Sequence, residues 1–358
     1  MVYLDYAATT PLLKEVTEAM REAEERFFAN ASALHTPGHL AMNRIEETRE
    51  LLAELINAEP EEIIFTSGAS ESNNTVIRTF EGCEIETSPY EHHSLIEAAK
   101  VYQGEGQPKL YSYMLANNEI GELFDISQII KKARETSAYV HSDLTQVLGK
   151  MPIDVKALGI DYATFSAHKI GGPIGVGALY IRKGAPFKPL IIGGNQEHKR
   201  RGGTYNTVGI IGFGAALKYV REHQTWQKYN TEVRNLRDAL AERILVEIPG
   251  SSLNTPLNNS LPNILNASFR AAEGESIQLY LDAEGIVVST GSACASGDGN
   301  PSHVLMAKTG GDAEVAHSSI RFSFGLDNTM ADVEKVMAVL PGIINRLQKI
   351  STIEMEER

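Results

Sequence analysis

An α/β fold, a sheet covered by helices, is predicted for this 358-residue chain by three observations. Short apolar runs alternate with stretches of helical periodicity along most of its length. Hydrophobic residues make up 42% of it, enough for a large core. No internal repeat or low-complexity segment interrupts the pattern. Strands are expected at Glu62 to Thr66, Leu110 to Leu115, Ala138 to His141, Ile160 to Phe165 and Gly177 to Ile181. Helical periodicity is clearest over Met42 to Ile56, Ile126 to Thr136, Val208 to Gln224 and Tyr229 to Val246. Pro249 to Ser252 and the polar segment Asn254 to Asn259, with Pro256, break this pattern and open a second region. That region reads as strand-like Ile264 to Phe269, a helix near Ser276 to Glu284, strand-like Ile286 to Ser289 and Ile320 to Phe324, and a last helix.

A net charge of −13 argues against a nucleic-acid footprint and for small-molecule or basic protein partners. No run reaches the length of a membrane span, and Met1 to Asp5 lacks the basic and apolar regions of a secretion signal, so a cytoplasmic protein is expected. Two cysteines, Cys83 and Cys294, exclude a disulfide framework or a Cys-only metal site.

The chemistry concentrates in Ser166-Ala167-His168-Lys169-Ile170, which runs into Gly171-Gly172 after an apolar strand. A lysine there can form a Schiff base with an aldehyde cofactor if burial or nearby cations keep its amine neutral. Read alone, the pentapeptide is better explained by a surface lysine. The balance shifts with Val140 to Gln146, where Asp143, 26 positions before Lys169, ends an apolar strand. An aspartate so placed can hold a pyridine nitrogen protonated, and the two segments together suggest pyridoxal phosphate.

With Tyr3 to Pro11 (Y-L-D-Y-A-A-T-T-P), F-T-S-G-A-S-E-S from Phe65, N-N-E-I-G from Asn117, R-G-G-T from Arg201, S-T-G-S-A-C-A-S from Ser289 and S-S-I-R-F-S-F-G from Ser318, these segments resemble the cysteine desulfurases. The blocks run in family order over nearly the whole chain. The resemblance implies the pyridoxal-phosphate-dependent aminotransferase-like fold (fold type I). It implies a large cofactor domain with a mostly parallel sheet over 12–230, and a smaller α+β domain over 231–358, with 1–11, that carries the cysteine loop.

The resemblance also implies roles. Ala69, Ser70, Ser166 and His168 hold the cofactor phosphate, and Thr204 reaches it from the other copy of a homodimer. His92 stacks on the ring and moves protons, Asp143 meets the ring nitrogen, and Gln146 and Asn118 meet the phenolic oxygen side. From the residues alone, Ser67 to Ser70 also reads as a small-residue helix cap, and Asn117 to Gly121 as an ordinary turn. Arg321 and Asn118 bind the substrate, the arginine gripping its carboxylate with its planar fork; otherwise Arg321 needs a buried acidic partner that the neighbouring sequence lacks. Cys294, in a small-residue loop from Gly291 to Pro301, attacks the substrate sulfur and becomes a persulfide. Its spacing to Pro301-Ser302-His303 resembles the subclass with the longer catalytic loop. Cys83 reads as structural, no metal ligand is assigned, and the role of His35 stays open.

The implied activity converts L-cysteine to L-alanine and hands the sulfur to an acceptor protein, an iron–sulfur scaffold or a tRNA-thiolation protein. Lys169 is the general base once it leaves the cofactor aldehyde. The alternatives are a related carbon–sulfur lyase or selenocysteine lyase that uses no persulfide, and a non-catalytic assembly partner, against which the intact Lys169, Asp143 and Cys294 argue. The chain departs from the family in one place. Only 25 residues separate His92 from Asn118, roughly half the usual interval, as though one strand–helix unit were trimmed from an edge of the sheet.

Overall fold

A computed structural model describes residues 1–290 and 301–351. In chain order the strands are β1 (Val2–Tyr3), β2 (Ile63–Thr66), β3 (Glu84–Thr87), β4 (Pro108–Ser112), β5 (Tyr139–Asp143), β6 (Tyr162–Ser166), β7 (Gly177–Ile181), β8 (Ser251–Leu253), β9 (Ile264–Phe269), β10 (Ile286–Val287), β11 (Ser289–Thr290) and β12 (Ser319–Ser323). The chain divides into two units. One comprises Thr10–Leu115 and Phe124–Trp226; the other comprises Met1–Thr9, Ala116–Leu123 and Gln227–Arg358.

The first unit is built on a six-stranded sheet in the order β2-β7-β6-β5-β4-β3. Strands β3 to β6 run parallel, and β7 is antiparallel to both β6 and β2. Every residue of β6 and β7 is buried, which is why these strands read as continuous apolar runs rather than as alternation. Helix Ala69–Thr79 joins β2 to β3, and helix His93–Tyr102 joins β3 to β4. Their apolar faces close a core of Ile64, Val76, Ile77, Phe80, Leu95, Leu110, Tyr162 and Leu179. The short interval after His92 therefore holds one helix and one strand, and β3 is the sheet's edge. Cys83 packs, half-buried, against that core.

Two contacts fix the other flank of this sheet. The buried Arg49 of helix Thr36–Ile56 forks onto Glu197 at 2.7 and 3.0 Å and donates to the Ile63 carbonyl. Gly177, at the start of β7, passes so close to Gly68 that a Cβ there would sit 2.6 Å from the Gly68 Cα, so only glycine lets the two backbones meet. The parallel strands end at Asp143 and Ser166, and the carboxyl ends of such strands are where open α/β sheets bind ligands.

In the second unit β11-β12-β9-β8 form an antiparallel sheet, and β1 pairs in parallel with β10. Helices Arg234–Glu247, Gly274–Ala283 and Met330–Ile350 close a core of Leu240, Ile244, Leu265, Phe269, Ile277, Ile320, Phe322, Val336 and Leu340. The segment Ala116–Leu123 belongs here as a turn. Asn117 Oδ1 accepts from the N–H groups of Glu119 and Ile120, and Ala116 bridges Leu123.

Candidate active site

Lys169 ends a 3₁₀ turn, Ala167–Lys169, that follows β6 without a break. The turn is pinned from two sides. Thr10 donates its N–H and its hydroxyl to the His168 carbonyl at 3.0 and 2.8 Å, and its hydroxyl oxygen accepts from the Gly171 N–H at 2.7 Å. Lys150, buried in the turn after β5, donates its Nζ to the Lys169 carbonyl at 3.4 Å. Gly171 adopts φ +81°, and a Cβ there would lie 2.4 Å from Leu13 Cγ, so the glycine after the lysine is required by both conformation and space. The segment therefore fixes the backbone on which the half-buried Lys169 side chain stands. Lys169 in turn shapes its surroundings. Burial, then Lys169, pulls the Lys150 ammonium down to about 7, and burial, Lys169 and Lys150 pull His168 down to about 4.

Ala69 and Ser70 occupy the first two positions of helix Ala69–Thr79. The helix begins at Gly68 with φ +151° and carries no side-chain cap. The N-cap is thus a small residue, as the sequence alone suggests, and glycine leaves the end of the helix without a side chain. What it presents is bare backbone at the positive end of the helix dipole, a fit for a phosphate group. The buried Ser166 lies alongside, its Oγ 3.9 Å from where a Gly68 Cβ would stand. Glu71 braces this turn by accepting from the Ser67 N–H at 2.8 Å and from Arg201 at 3.0 and 3.2 Å. That ion pair ties the R-G-G-T segment, with Thr204 exposed, to the turn.

Asp143, the last residue of β5, is buried with both carboxylate oxygens held. Oδ1 accepts from the Thr145 N–H and Oδ2 from Asn73 Nδ2, each at 2.9 Å. Gln146 follows in the same turn and is also buried. His92 caps helix His93–Tyr102 through its Nδ1. Burial lowers its pKa, Lys169 and His93 push the same way, and Asp143 opposes them. Lys169, Asp143 and His92 are thus gathered within one electrostatic neighbourhood, and Asn73 ties Asp143 to the helix whose start suits an anion. An aldehyde-bearing, phosphorylated pyridine needs these four features: an amine, a carboxylate for the ring nitrogen, a flat face for the ring and an anion site.

Glu91, fully buried before His92, accepts from the Ser88 hydroxyl at 2.6 Å and the Met114 N–H at 2.8 Å. Burial pushes its carboxyl up to about 8, against those two hydrogen bonds. The folded protein therefore keeps a proton that the unfolded chain gives up in the ordinary carboxylate range. The stability Glu91 contributes is full below that range and is lost as pH rises toward 8. Glu91→Gln keeps the shape without the charge. The drop in Tm between pH 5 and pH 8, followed by calorimetry, is expected to shrink in this variant by about 3 °C or more.

In the second unit, Arg321 of β12 is buried and does have an acidic partner, one that no local reading of the sequence finds. Nη2 donates to Asp5 at 2.8 Å, across 316 positions. Nη1 donates to the Asn118 carbonyl at 2.9 Å, while Nε is buried without a partner among the described residues. Asn118 stands in the turn capped by Asn117, as the turn reading expects. His35, left open by the sequence, caps helix Thr36–Ile56 by accepting from the Gly38 N–H at 3.1 Å. Cys294 lies outside the described residues. Thr10, Asn73 and Lys150 are contacts the sequence reading missed. Thr10 sat in a quoted block, and a lysine among apolar residues at 147–153 was a readable signal.

The family model for class-V aminotransferases matches residues 2–107 and 104–336. Cysteine desulfurase IscS of Dictyoglomus turgidum is 43% identical, covering 99% of this chain and 97% of its own. That alignment runs over 386 positions against 358 residues here, so the relative carries residues this chain lacks. Among solved structures, the NifS-like protein from Rickettsia africae matches with a TM-score of 0.87 at 31% identity, over 96% of this chain and 99% of its own. SspA in complex with cysteine matches at 0.76 and 32%, over 90% and 99%. The fold, the cofactor-binding features at its strand ends and this near end-to-end likeness agree, and the chain belongs to the cysteine desulfurases, pyridoxal-phosphate-dependent enzymes of the class-V aminotransferase family.

Proposed function

We propose that this enzyme converts L-cysteine to L-alanine and passes the sulfur, as a persulfide on Cys294, to an acceptor protein such as an iron–sulfur scaffold. The observation that carries this reading is the grouping of Lys169, Asp143 and His92 beside the uncapped helix start at Gly68. The family likeness supplies the substrate.

Bound pyridoxal phosphate supplies an aldehyde that takes up amines and a protonated ring that draws electrons from the substrate. The backbone at Ala69 and Ser70, with Ser166 and His168, holds its phosphate. Thr204 of a second copy completes that site in a homodimer. Asp143 keeps a lone pair on each oxygen beyond the bonds from Thr145 and Asn73, enough to accept from the ring nitrogen. His92 covers the ring face, while Gln146 and Asn118 address its phenolic oxygen. Lys169 removes the α proton as a free amine, its backbone held in place by Lys150 at its carbonyl. Arg321 commits one of its five N–H donors to Asp5 and one to Asn118, and its Nε–H is among those left for the substrate carboxylate.

The Cys294 thiolate then attacks the substrate sulfur. A sulfur–sulfur bond forms, the carbon–sulfur bond breaks and its electron pair stays with carbon. The enzyme thiol is oxidised to a persulfide, the carbon skeleton is reduced to alanine, and no outside oxidant is required. We place the enzyme in the cytoplasm, where a chain with two cysteines keeps its thiols reduced. No helix among the described residues is long and apolar enough to cross a membrane.

Product analysis of the purified protein with L-cysteine and a thiol acceptor tests this. Alanine equal in amount to the sulfur released is expected. Pyruvate and ammonia in place of alanine would reassign the enzyme as a carbon–sulfur lyase.

A further inference from the structure

Asn73 lies on the inward face of helix Ala69–Thr79, fully buried, four residues beyond the helix start. Its amide nitrogen makes two hydrogen bonds, to Asp143 Oδ2 at 2.9 Å and to Ser94 Oγ at 3.0 Å. Ser94 Oγ stands 2.8 Å from His92 Nδ1, and the Ser94 N–H donates to the same ring nitrogen at 3.1 Å. The next residue, Asn74, donates to the Ser94 carbonyl at 3.1 Å, so one helix holds Ser94 by both its side chain and its backbone.

The direction of this chain follows from what each group can do. A backbone N–H only donates, so His92 Nδ1 accepts, and a neutral ring that accepts at Nδ1 carries its proton on Nε2. The Asn73 amide also donates, so Ser94 accepts from it and gives its own hydrogen to Nδ1. The second amide hydrogen goes to Asp143. One buried amide therefore holds two groups, the carboxylate and, through the serine, the histidine.

We propose that Asn73 is a positioning residue that joins Asp143 to His92 through Ser94 and fixes His92 with its proton on Nε2. This rests on the reading of Asp143 and His92 as the residues that meet the cofactor ring. A ring held in this way enters the reaction as a hydrogen donor at Nε2, and removal of the α proton is left to Lys169.

The test is a two-bond proton–nitrogen correlation spectrum of the holoenzyme carrying ¹⁵N-histidine, at a pH where His92 is neutral, together with steady-state kinetics. The His92 signals are assigned by their loss in His92→Gln. The wild type is expected to show the Nε2–H pattern. Asn73→Ala is expected to move those signals and lower kcat about tenfold with KM within about twofold, the usual scale for removing a group that orients a reacting one. Ser94→Ala removes the hydroxyl step but keeps the Asn73–Asp143 bond, and is expected to match it, which decides the matter if Asn73→Ala does not fold. A wild-type ring protonated at Nδ1, or variants with unchanged His92 signals and kcat, overturns the proposal. A protein that makes no alanine overturns the functional reading instead, and the ring signals still decide this one.

Discussion

Lys169→Ala is expected to cut alanine formation from L-cysteine by at least about 10³-fold, because one substitution removes both the amine that links to the cofactor and the base that takes the α proton. The fold should survive it. The turn around position 169 is held through main-chain contacts, by Thr10 at the His168 carbonyl and the Gly171 N–H and by Lys150 at the carbonyl of residue 169. Cofactor is expected to remain bound through the phosphate and ring contacts, but borohydride should no longer attach it to the protein. A second consequence follows from the electrostatics. Lys169 helps hold Lys150 near 7 and His168 near 4, so both should titrate higher in the variant, as read by NMR. Retention of activity within tenfold of wild type would remove Lys169 from the chemistry.

Cys294→Ala is expected to be as severe, at least about 10³-fold, but to fail at a different step. Cofactor should bind and remain reducible onto Lys169, and cysteine should still reach the cofactor and perturb its absorption. Sulfur transfer and alanine release should stop. Cys83→Ser serves as the control, because Cys83 only packs at the margin of the core of the first unit, and its loss should leave turnover intact. Full activity in Cys294→Ala would instead favour the lyase or selenocysteine-directed reading.

Strands β7 and β9 fall at the positions expected from their apolar runs, since each is buried on every residue and bounded by polar or glycine-rich segments. Edge strand β3 is unannounced because only Ile85 of Glu84–Thr87 is buried, and one residue cannot display a period. Helix Lys14–Arg26 is equally quiet. Only Val16 and Ala23 are buried, and the helix carries exposed ion pairs such as Arg21–Glu25 in place of a broad apolar stripe. The helix after Lys228 starts with a π turn over Tyr229–Val233 that periodicity does not reveal.

The same limit applies to the site. Lys169, Asp143, His92 and the turn at Ser67 to Ser70 sit in short motifs, so the ordered match of those motifs to the family could name them, although several of them read alone as ordinary surface or cap residues. Asp5 and Arg321, or Asn73, Ser94 and Asp143, become partners only when strands and helices from distant parts of the chain are assembled. Glycine positions carried part of that information. Gly171 marks the forced turn after the lysine, and Gly177 the close approach of β7 to Gly68 at the start of helix Ala69–Thr79.

Mass spectrometry of the holoenzyme after brief exposure to L-cysteine, with alanine measured in the same sample, bears most directly on the claim that this chain carries sulfur on its own thiol. One added sulfur atom on the peptide containing Cys294, in step with one alanine released, is the result the account predicts. Alanine released with position 294 unmodified, or sulfur found on Cys83 instead, would contradict it.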